Sequence, residues 1–319
     1  MNISVIGCGR WGSFIGWYLV NNGHSVVQWG TEGNHSFDVL KNTGRNEYVE
    51  LDKRIDLTPD LEKAINSSDI IIISISAQAL RSFMQRVVKY DVSDKKFVLC
   101  MKGIEVETGK RLSEVMVESG IDANNVAVWV GPGHIQAFTK GYPNCMVIDS
   151  TNKQLVKFLA DSLRGDLIRF YYGDDLIGSE IGAAAKNVMG IAAGMLDGGG
   201  YTTLKGPLMA RGAREVARLI KAMGGNELSA YGLCHLGDYE TTLFSEYSNN
   251  RKFGEKYVKG EPFTKLAEGV STAKAMRELG IKYGVDLPIT NAVYAILYEK
   301  VDPMKELLLL FSRSTRKEF

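Results

Sequence analysis

The sequence predicts an α/β domain with a doubly wound sheet, followed by an all-α domain. Three observations carry this. The chain opens with a strand, a glycine loop, a helix and a second strand within about 30 residues. Asp69-Ile70-Ile71-Ile72-Ile73-Ser74-Ile75 is a continuous β-branched run, the pattern of a central parallel strand buried on both faces. Beyond Asp174 strand signals vanish while apolar residues continue at helical spacing. The expected division is therefore 1–173 for a dinucleotide-binding domain and 174–319 for a helical substrate and catalytic domain.

Ile3 to Ile6 reads as a short buried strand that runs into Gly7-Cys8-Gly9-Arg10-Trp11-Gly12, a GxGxxG loop. Gly7 permits the tight turn, Gly9 lets the backbone approach a pyrophosphate, and Gly12 lets the following helix pack on the strand. Phe14, Ile15, Trp17, Tyr18 and Leu19 supply the helical pattern, Gly23 ends it, and Ser25 to Trp29 is the second strand. The helix N-terminus then offers N–H donors to phosphate. A bare GxGxxG says little; in this context it predicts dinucleotide binding. The second strand ends Gln28-Trp29-Gly30-Thr31-Glu32. No acid sits at its tip to select NAD and no arginine to mark NADP, so either cofactor fits.

Residues 33–58 are polar and are expected to form loop and a short helix. Further strands are expected at Phe97 to Met101, Val126 to Val130, Cys145 to Ile148 and Leu167 to Tyr171. Lys102 follows a strand tip, where ligands collect in open α/β sheets, and could bind an anion; it could equally be a surface lysine. Gly131-Pro132-Gly133-His134 is a tight turn, and His134 alone reads more readily as structural than as catalytic. In the second half, helices are expected near 207–223, 227–236, 266–283, 288–299 and 303–312.

Residues 178–197, GSEIGAAAKNVMGIAAGMLD, are unusually rich in small residues. Interior glycines cost a helix about 1 kcal/mol each relative to alanine, so something must pack close, another helix or a ligand. Lys186 sits in the middle with Asn187 beside it. A solvent-facing lysine is the ordinary reading. In a tight apolar cleft, desolvation would lower the amine pKa and suit it to proton transfer. Ser248-Asn249-Asn250-Arg251-Lys252-Phe253-Gly254 is polar and basic, either a solvated loop or a segment that holds phosphate through charge-assisted bonds.

Composition excludes several classes. The 319 residues are 45% hydrophobic and 24% charged, with net charge +1, so no overall field favours nucleic acid or an anionic membrane. Cys8, Cys100, Cys145 and Cys234 are scattered, with no CxxC and no metal-ligand spacing, so reduced thiols and no metal are expected. No stretch reaches the length of a membrane span. MNISVIG has no basic leader before an apolar core, so no secretory signal is expected and the location expected is cytoplasmic.

Together the motifs resemble the bacterial-type NAD(P)-dependent glycerol-3-phosphate dehydrogenases along nearly the whole chain. The opening loop is similar to the family's GxGxWGT, Ser76 to Arg81 to PSQALR, and Met101-Lys102-Gly103-Ile104-Glu105 to TKGLE. Glu180 to Val188 resembles ELGxALKNV, Gly237-Asp238 a GD pair, Ser248 to Gly254 SRNRRFG, Glu268 to Ala273 VEGVxTA, and Pro288 to Tyr294 PITEAVY. The resemblance implies a Rossmann domain followed by a helical one, with the active site in the cleft between them. It implies NAD(P)H-dependent reduction of dihydroxyacetone phosphate to sn-glycerol 3-phosphate, feeding glycerophospholipid synthesis. Lys186 would be the acid/base. Lys102, Gly131, Gly133, Asn187, Asp238, Ser248, Asn249, Asn250 and Arg251 would meet the substrate. Gly7, Gly9, Arg10, Trp11, Gly12, Thr31, Lys102, Ile135, Asn249, Leu266 and Glu268 would line the cofactor.

Three departures fall on the substrate side. Asn249 replaces the arginine of SRNR, and Arg251 or Lys252 would have to compensate. Gly131-Pro132-Gly133-His134-Ile135 replaces GPSFA. Asp197 to Leu208 is one residue shorter than the family's DGLGxGxNTKAAL. These keep open a dehydrogenase acting on a different small polyol ketone, phosphorylated or not, or a non-catalytic NAD(P)-binding sensor. A homodimer is expected by analogy.

Overall fold

The structure is a computed structural model, and it describes residues 1–315, 317 and 318. Two compact units emerge: Met1–Lys102 with Lys110–Glu180, and Gly103–Gly109 with Ile181–Phe319. The short excursion 103–109 belongs with the second unit, which a single linear boundary at 173 does not anticipate.

The first unit is an eight-stranded sheet with order β3-β2-β1-β4-β5-β6-β7-β8. The strands are β1 (Asn2–Ile6), β2 (Ser25–Trp29), β3 (Asp56–Thr58), β4 (Ile70–Ile73), β5 (Lys96–Leu99), β6 (Val126–Val130), β7 (Asn144–Asp149) and β8 (Ile168–Tyr172). All pairs are parallel except β6 with β7. Strand order reverses between β1 and β4, the place where ligands bind in doubly wound sheets. All four isoleucines of β4 are buried, as a strand covered by helices on both faces requires. Ile3, Val5, Ile70, Ile72, Val98, Ala127 and Trp129 share a core with Phe14, Ile15 and Tyr18 of the helix Arg10–Asn21. The expected strands are present. The unexpected one is β3, three residues at the edge within the stretch expected to hold only loop and a short helix; that helix is His35–Thr43.

The second unit is helical. Its central element is Leu176–Gly198, whose first residues belong to the first unit. Lys205–Ala222, Asn249–Lys259, Gly269–Tyr283, Pro288–Tyr294 and Pro303–Leu309 follow. The glycines of the central helix now have a physical account. A Cβ at Gly194 would overlap the Arg251 carbonyl, and one at Gly198 would lie 2.7 Å from the Glu255 carbonyl. Reciprocally, a Cβ at Gly254 would overlap the Ile191 carbonyl. Gly182, Gly190, Gly194 and Gly198 form one row at spacing four, a groove into which another backbone can settle. The only position in that row with a long side chain is Lys186.

Two expectations differ here. The segment 248–254 is no loop: Ser248 accepts from Arg251 N at 3.2 Å and caps the helix Asn249–Lys259. The helix expected near 227–236 is instead two short 3-10 turns, Glu227–Tyr231 and Leu236–Asp238, separated at Gly232. Elsewhere, Leu287 gives the helix Pro288–Tyr294 no side-chain cap. The buried Glu215 carboxylate supplies one from another helix, accepting from Ile289 N at 2.7 Å and Thr290 N at 3.0 Å. Burial pushes Glu215 up to about 6.

Candidate active site

In the first unit the chain leaves β1 and turns at Gly7, where φ is 117°. Gly7 N donates to the Trp29 carbonyl at 2.8 Å, and a Cβ here would overlap the Ser74 carbonyl after β4. Gly12 is packed against the Gly7 carbonyl. Gln28 Nε2 donates to that same carbonyl at 3.0 Å, and the Ser13 hydroxyl donates to the Cys8 and Gly9 carbonyls. The loop is thus fixed from below. Gly9 is the opposite case: nothing lies within 4 Å of where its Cβ would stand. The helix Arg10–Asn21 begins at Gly9 with no side-chain cap. A tight turn, an open side at the middle glycine and an uncapped helix N-terminus fit a dinucleotide pyrophosphate.

The other expected cofactor residues of this unit are placed unevenly. Arg10 stacks over the Tyr48 ring at 5.3 Å, and Trp11 packs on Phe14 and Phe138. Thr31 is exposed just past β2. The neighbouring Glu32 is paired with Lys41 at 2.8 Å. The Ile135 side chain is buried in the core, so any contact from it to a nucleotide goes through its backbone. Lys102 Nζ donates to the Gly131 carbonyl at 2.7 Å, which joins two of the expected substrate residues. Gly131 has φ 131°, and a Cβ on Gly133 would run into the Phe138 ring.

In the second unit Lys186 is buried, with 9% of its surface exposed. Its ammonium is 3.0 Å from Asp238 Oδ2 and donates to Thr242 Oγ1 at 2.8 Å. The surroundings are therefore not the purely apolar cleft expected from the helix composition. Asp238 and Thr242 are themselves almost fully buried, and Thr241 donates to the other Asp238 oxygen. Beside them, Asn250 Nδ2 donates to Asn187 Oδ1 at 2.9 Å, while Asn250 Oδ1 accepts from Gly269 N at 2.9 Å. The structure brings Lys186, Asn187, Asp238 and Asn250 together here, while the Ser248 side chain caps its own helix at Arg251 N. It does not bring Arg251 with them. Arg251 Nε is 2.6 Å from Asp197 Oδ2, which Lys205 Nζ also meets at 2.6 Å. Asn249 donates to the Leu266 carbonyl at 3.2 Å, Leu266 is exposed, and the Glu268 carbonyl accepts from Thr272.

Sequence reasoning missed Thr242. It follows Asp238 through 3-10 and π turns, so no regular helical spacing marks it. A cavity of about 640 Å³ in this unit is lined by Arg211, Arg214, Arg218 and Arg313 with Leu307 and Phe311, and by none of the Lys186 partners.

Comparison with known proteins agrees with both halves. The family described as NAD-dependent glycerol-3-phosphate dehydrogenase N-terminus matches residues 2–156, and its C-terminal counterpart matches residues 175–308. The chain is 34% identical over 331 aligned positions to glycerol-3-phosphate dehydrogenase [NAD(P)+] of Prosthecochloris aestuarii, covering 100% of both chains.

The chain belongs to the glycerol-3-phosphate dehydrogenase family.

A Thermoanaerobacter relative of the same name is 32% identical over 100% of this chain and 99% of its own. The crystal structure of glycerol-3-phosphate dehydrogenase from Coxiella burnetii superposes with TM-score 0.89 at 27% identity, covering 98% of this chain and 99% of that one. The doubly wound sheet and helical second half are thus the glycerol-3-phosphate dehydrogenase fold. Among the described residues no cluster of His, Cys, Asp and Glu could hold a metal, and no helix is long and apolar enough to cross a membrane.

Proposed function

We propose that this protein is an NAD(P)H-dependent dehydrogenase that interconverts dihydroxyacetone phosphate and sn-glycerol 3-phosphate, with Lys186 as the proton donor and acceptor. The observation that carries the reading is the buried Lys186 ammonium, held between Asp238 at 3.0 Å and Thr242 at 2.8 Å in a chain that opens with a dinucleotide loop. When bound, the nicotinamide supplies hydride to the carbonyl carbon. Lys186 gives a proton to the alkoxide oxygen that forms; in the reverse direction its neutral amine takes the hydroxyl proton. Asp238 holds the amine in place and compensates its charge. Thr242, bonded to the same nitrogen, fixes a second direction around it. Burial of all three excludes water that would otherwise compete for the proton. Asn187 and Asn250 are tied to one another and to Gly269 N, a polar pair adjacent to Lys186 suited to a substrate hydroxyl.

Lys102, Gly131 and Gly133 are proposed to contribute from the first unit. Asn249 offers no charge where the family carries an arginine, and Arg251 is engaged with Asp197. Phosphate affinity is therefore expected to be lower than in relatives that keep the arginine. The test is a spectrophotometric assay of dihydroxyacetone phosphate reduction with NADH and NADPH in parallel. Turnover with either supports the reading. Turnover only on another ketone would move the substrate assignment, and calorimetric NADH binding without any turnover would make the protein a sensor. A cytoplasmic location and a homodimer also belong to this proposal, and fractionation and sedimentation test them.

A further inference from the structure

Next to the Lys186–Asp238 pair lies a histidine and tyrosine pair that the mechanism above does not use. His235 and Tyr239 are both completely buried. The imidazole Nδ1 is 2.8 Å from the Gly182 carbonyl and Nε2 is 2.6 Å from the Tyr239 hydroxyl. A carbonyl only accepts, so Nδ1 carries the proton and Nε2 accepts from the phenol. Burial pushes His235 down to about 4 and raises Tyr239, so both rings are neutral near pH 7, as this arrangement requires.

Gly182 precedes Lys186 by four residues, so in an α-helix its carbonyl also accepts the Lys186 N–H. The imidazole therefore binds the same oxygen that fixes the Lys186 backbone. From His235 the chain turns at once into Leu236–Asp238, with Asp238 N donating to the His235 carbonyl at 3.0 Å. The far end of the Asp238 side chain then meets Lys186 Nζ. This closes a ring from the lysine backbone to the lysine amine through Gly182, His235 and Asp238. On the other side of Asp238, the Tyr239 carbonyl accepts from Thr242 N at 3.0 Å, so the phenol anchors the second partner of the amine as well. Two glycines clear the slot: a Cβ on Gly182 would stand 3.1 Å from His235 Cβ, and one on Gly212 3.0 Å from the Tyr239 hydroxyl.

We propose that His235 and Tyr239 are positioning residues, which set the reach between Lys186 and Asp238 by tying the Asp238 turn to the carbonyl that holds the Lys186 backbone. The consequence for turnover rests on the reading of Lys186 as the proton donor; the tie itself does not.

The full-length protein provides two tests. The first needs no substrate. A four-variant cycle of Lys186→Met and Asp238→Asn, followed by urea unfolding, gives the coupling within the pair, and the cycle is repeated in His235→Leu and Tyr239→Phe backgrounds. The coupling, read as a ratio of unfolding constants, should fall by about threefold or more in each. A coupling unchanged in both backgrounds overturns the proposal. The second is kinetic. Tyr239→Phe removes one oxygen and should fold; kcat should drop by about 3–10-fold with the ketone KM within about twofold. His235→Asn keeps an N–H for the Gly182 carbonyl and should recover much of the kcat lost in His235→Leu. A lower melting temperature with unchanged kcat, or equal losses in the Asn and Leu variants, reduces the pair to packing and sinks the idea. Should the wild type not reduce dihydroxyacetone phosphate, the enzymatic reading fails alone, and the unfolding cycle still decides the tie.

Discussion

The molecule uses glycine in two places for opposite reasons. In the loop after β1, the middle glycine faces empty space, and nothing stands within 4 Å of a Cβ built on it. In the central helix, Gly194 and Gly198 are filled to contact by the backbone of the helix Asn249–Lys259. The first kind leaves room for something that arrives; the second lets two parts of the fold meet permanently. Lys186 stands in the row of the second kind, which is why its amine is held among fixed partners.

The sharpest way to break this contrast is Lys186→Met. Turnover on dihydroxyacetone phosphate should fall by roughly 10²–10⁴ if the amine is the acid/base. A variant with near-normal kcat, assayed through NADH absorbance, ends the assignment.

Next in size is the paired substitution Gly194→Ala and Gly9→Ala. Gly194→Ala forces backbones apart and should cost about 1–3 kcal/mol in urea unfolding. Gly9→Ala should leave stability within about 0.5 kcal/mol, because φ there is −71° and the space is free. Calorimetry should nonetheless show NADH affinity reduced by about tenfold or more, a loss of about 1.4 kcal/mol. Undiminished affinity would falsify the open side of Gly9 as the nucleotide's place.

Two buried groups sharpen the picture through pH. His235 is pushed from 6.5 to about 4. Its contribution, about 3 kcal/mol, is present above pH 6.5 and lost as pH falls toward 4. Glu215 is raised from 4.5 to about 6. Its contribution, about 2 kcal/mol, is present below pH 4.5 and lost as pH rises through 6. The two slopes oppose one another in the wild type between about pH 4.5 and 6. Glu215→Gln should expose the histidine slope, so that its urea midpoint drops more steeply on acidification than the wild type's; equal slopes would contradict it. The smallest effect belongs to Lys41→Ala. The Glu32–Lys41 pair is exposed, and its loss should leave the urea midpoint indistinguishable from the wild type's.

Much of this was legible in the residues. The β-branched run of β4 and the strand, loop, helix, strand opening announce the sheet because burial on both faces leaves no polar alternation to confuse them. The edge strand β3 was not legible: Asp56–Thr58 is three residues long with one of them buried. The helix Asn249–Lys259 escaped for a related reason. Only Gly254 is buried among its residues, so its inner face is a glycine and there is no apolar stripe to see. At the site, Lys186, Asn187 and Asp238 could be named from motif resemblance, whereas Thr242 and His235 could not. Thr242 reaches Lys186 from a π turn whose spacing does not follow the periodicity of a regular helix, and His235, just before the 3-10 turn, meets the Gly182 carbonyl and not the amine. Arg251 was placed by similarity, and the structure gives its guanidinium to Asp197 because that carboxylate lies within 2.6 Å.

The close seat of Gly254 on Ile191, and of Gly194 on Arg251, has a kinetic meaning. With main chain touching main chain there is no soft layer of side chains to shear, so this stretch of helix can neither slide nor roll by small steps. Movement of the Lys186 amine is then left to rotation about the four carbon–carbon bonds of its own side chain.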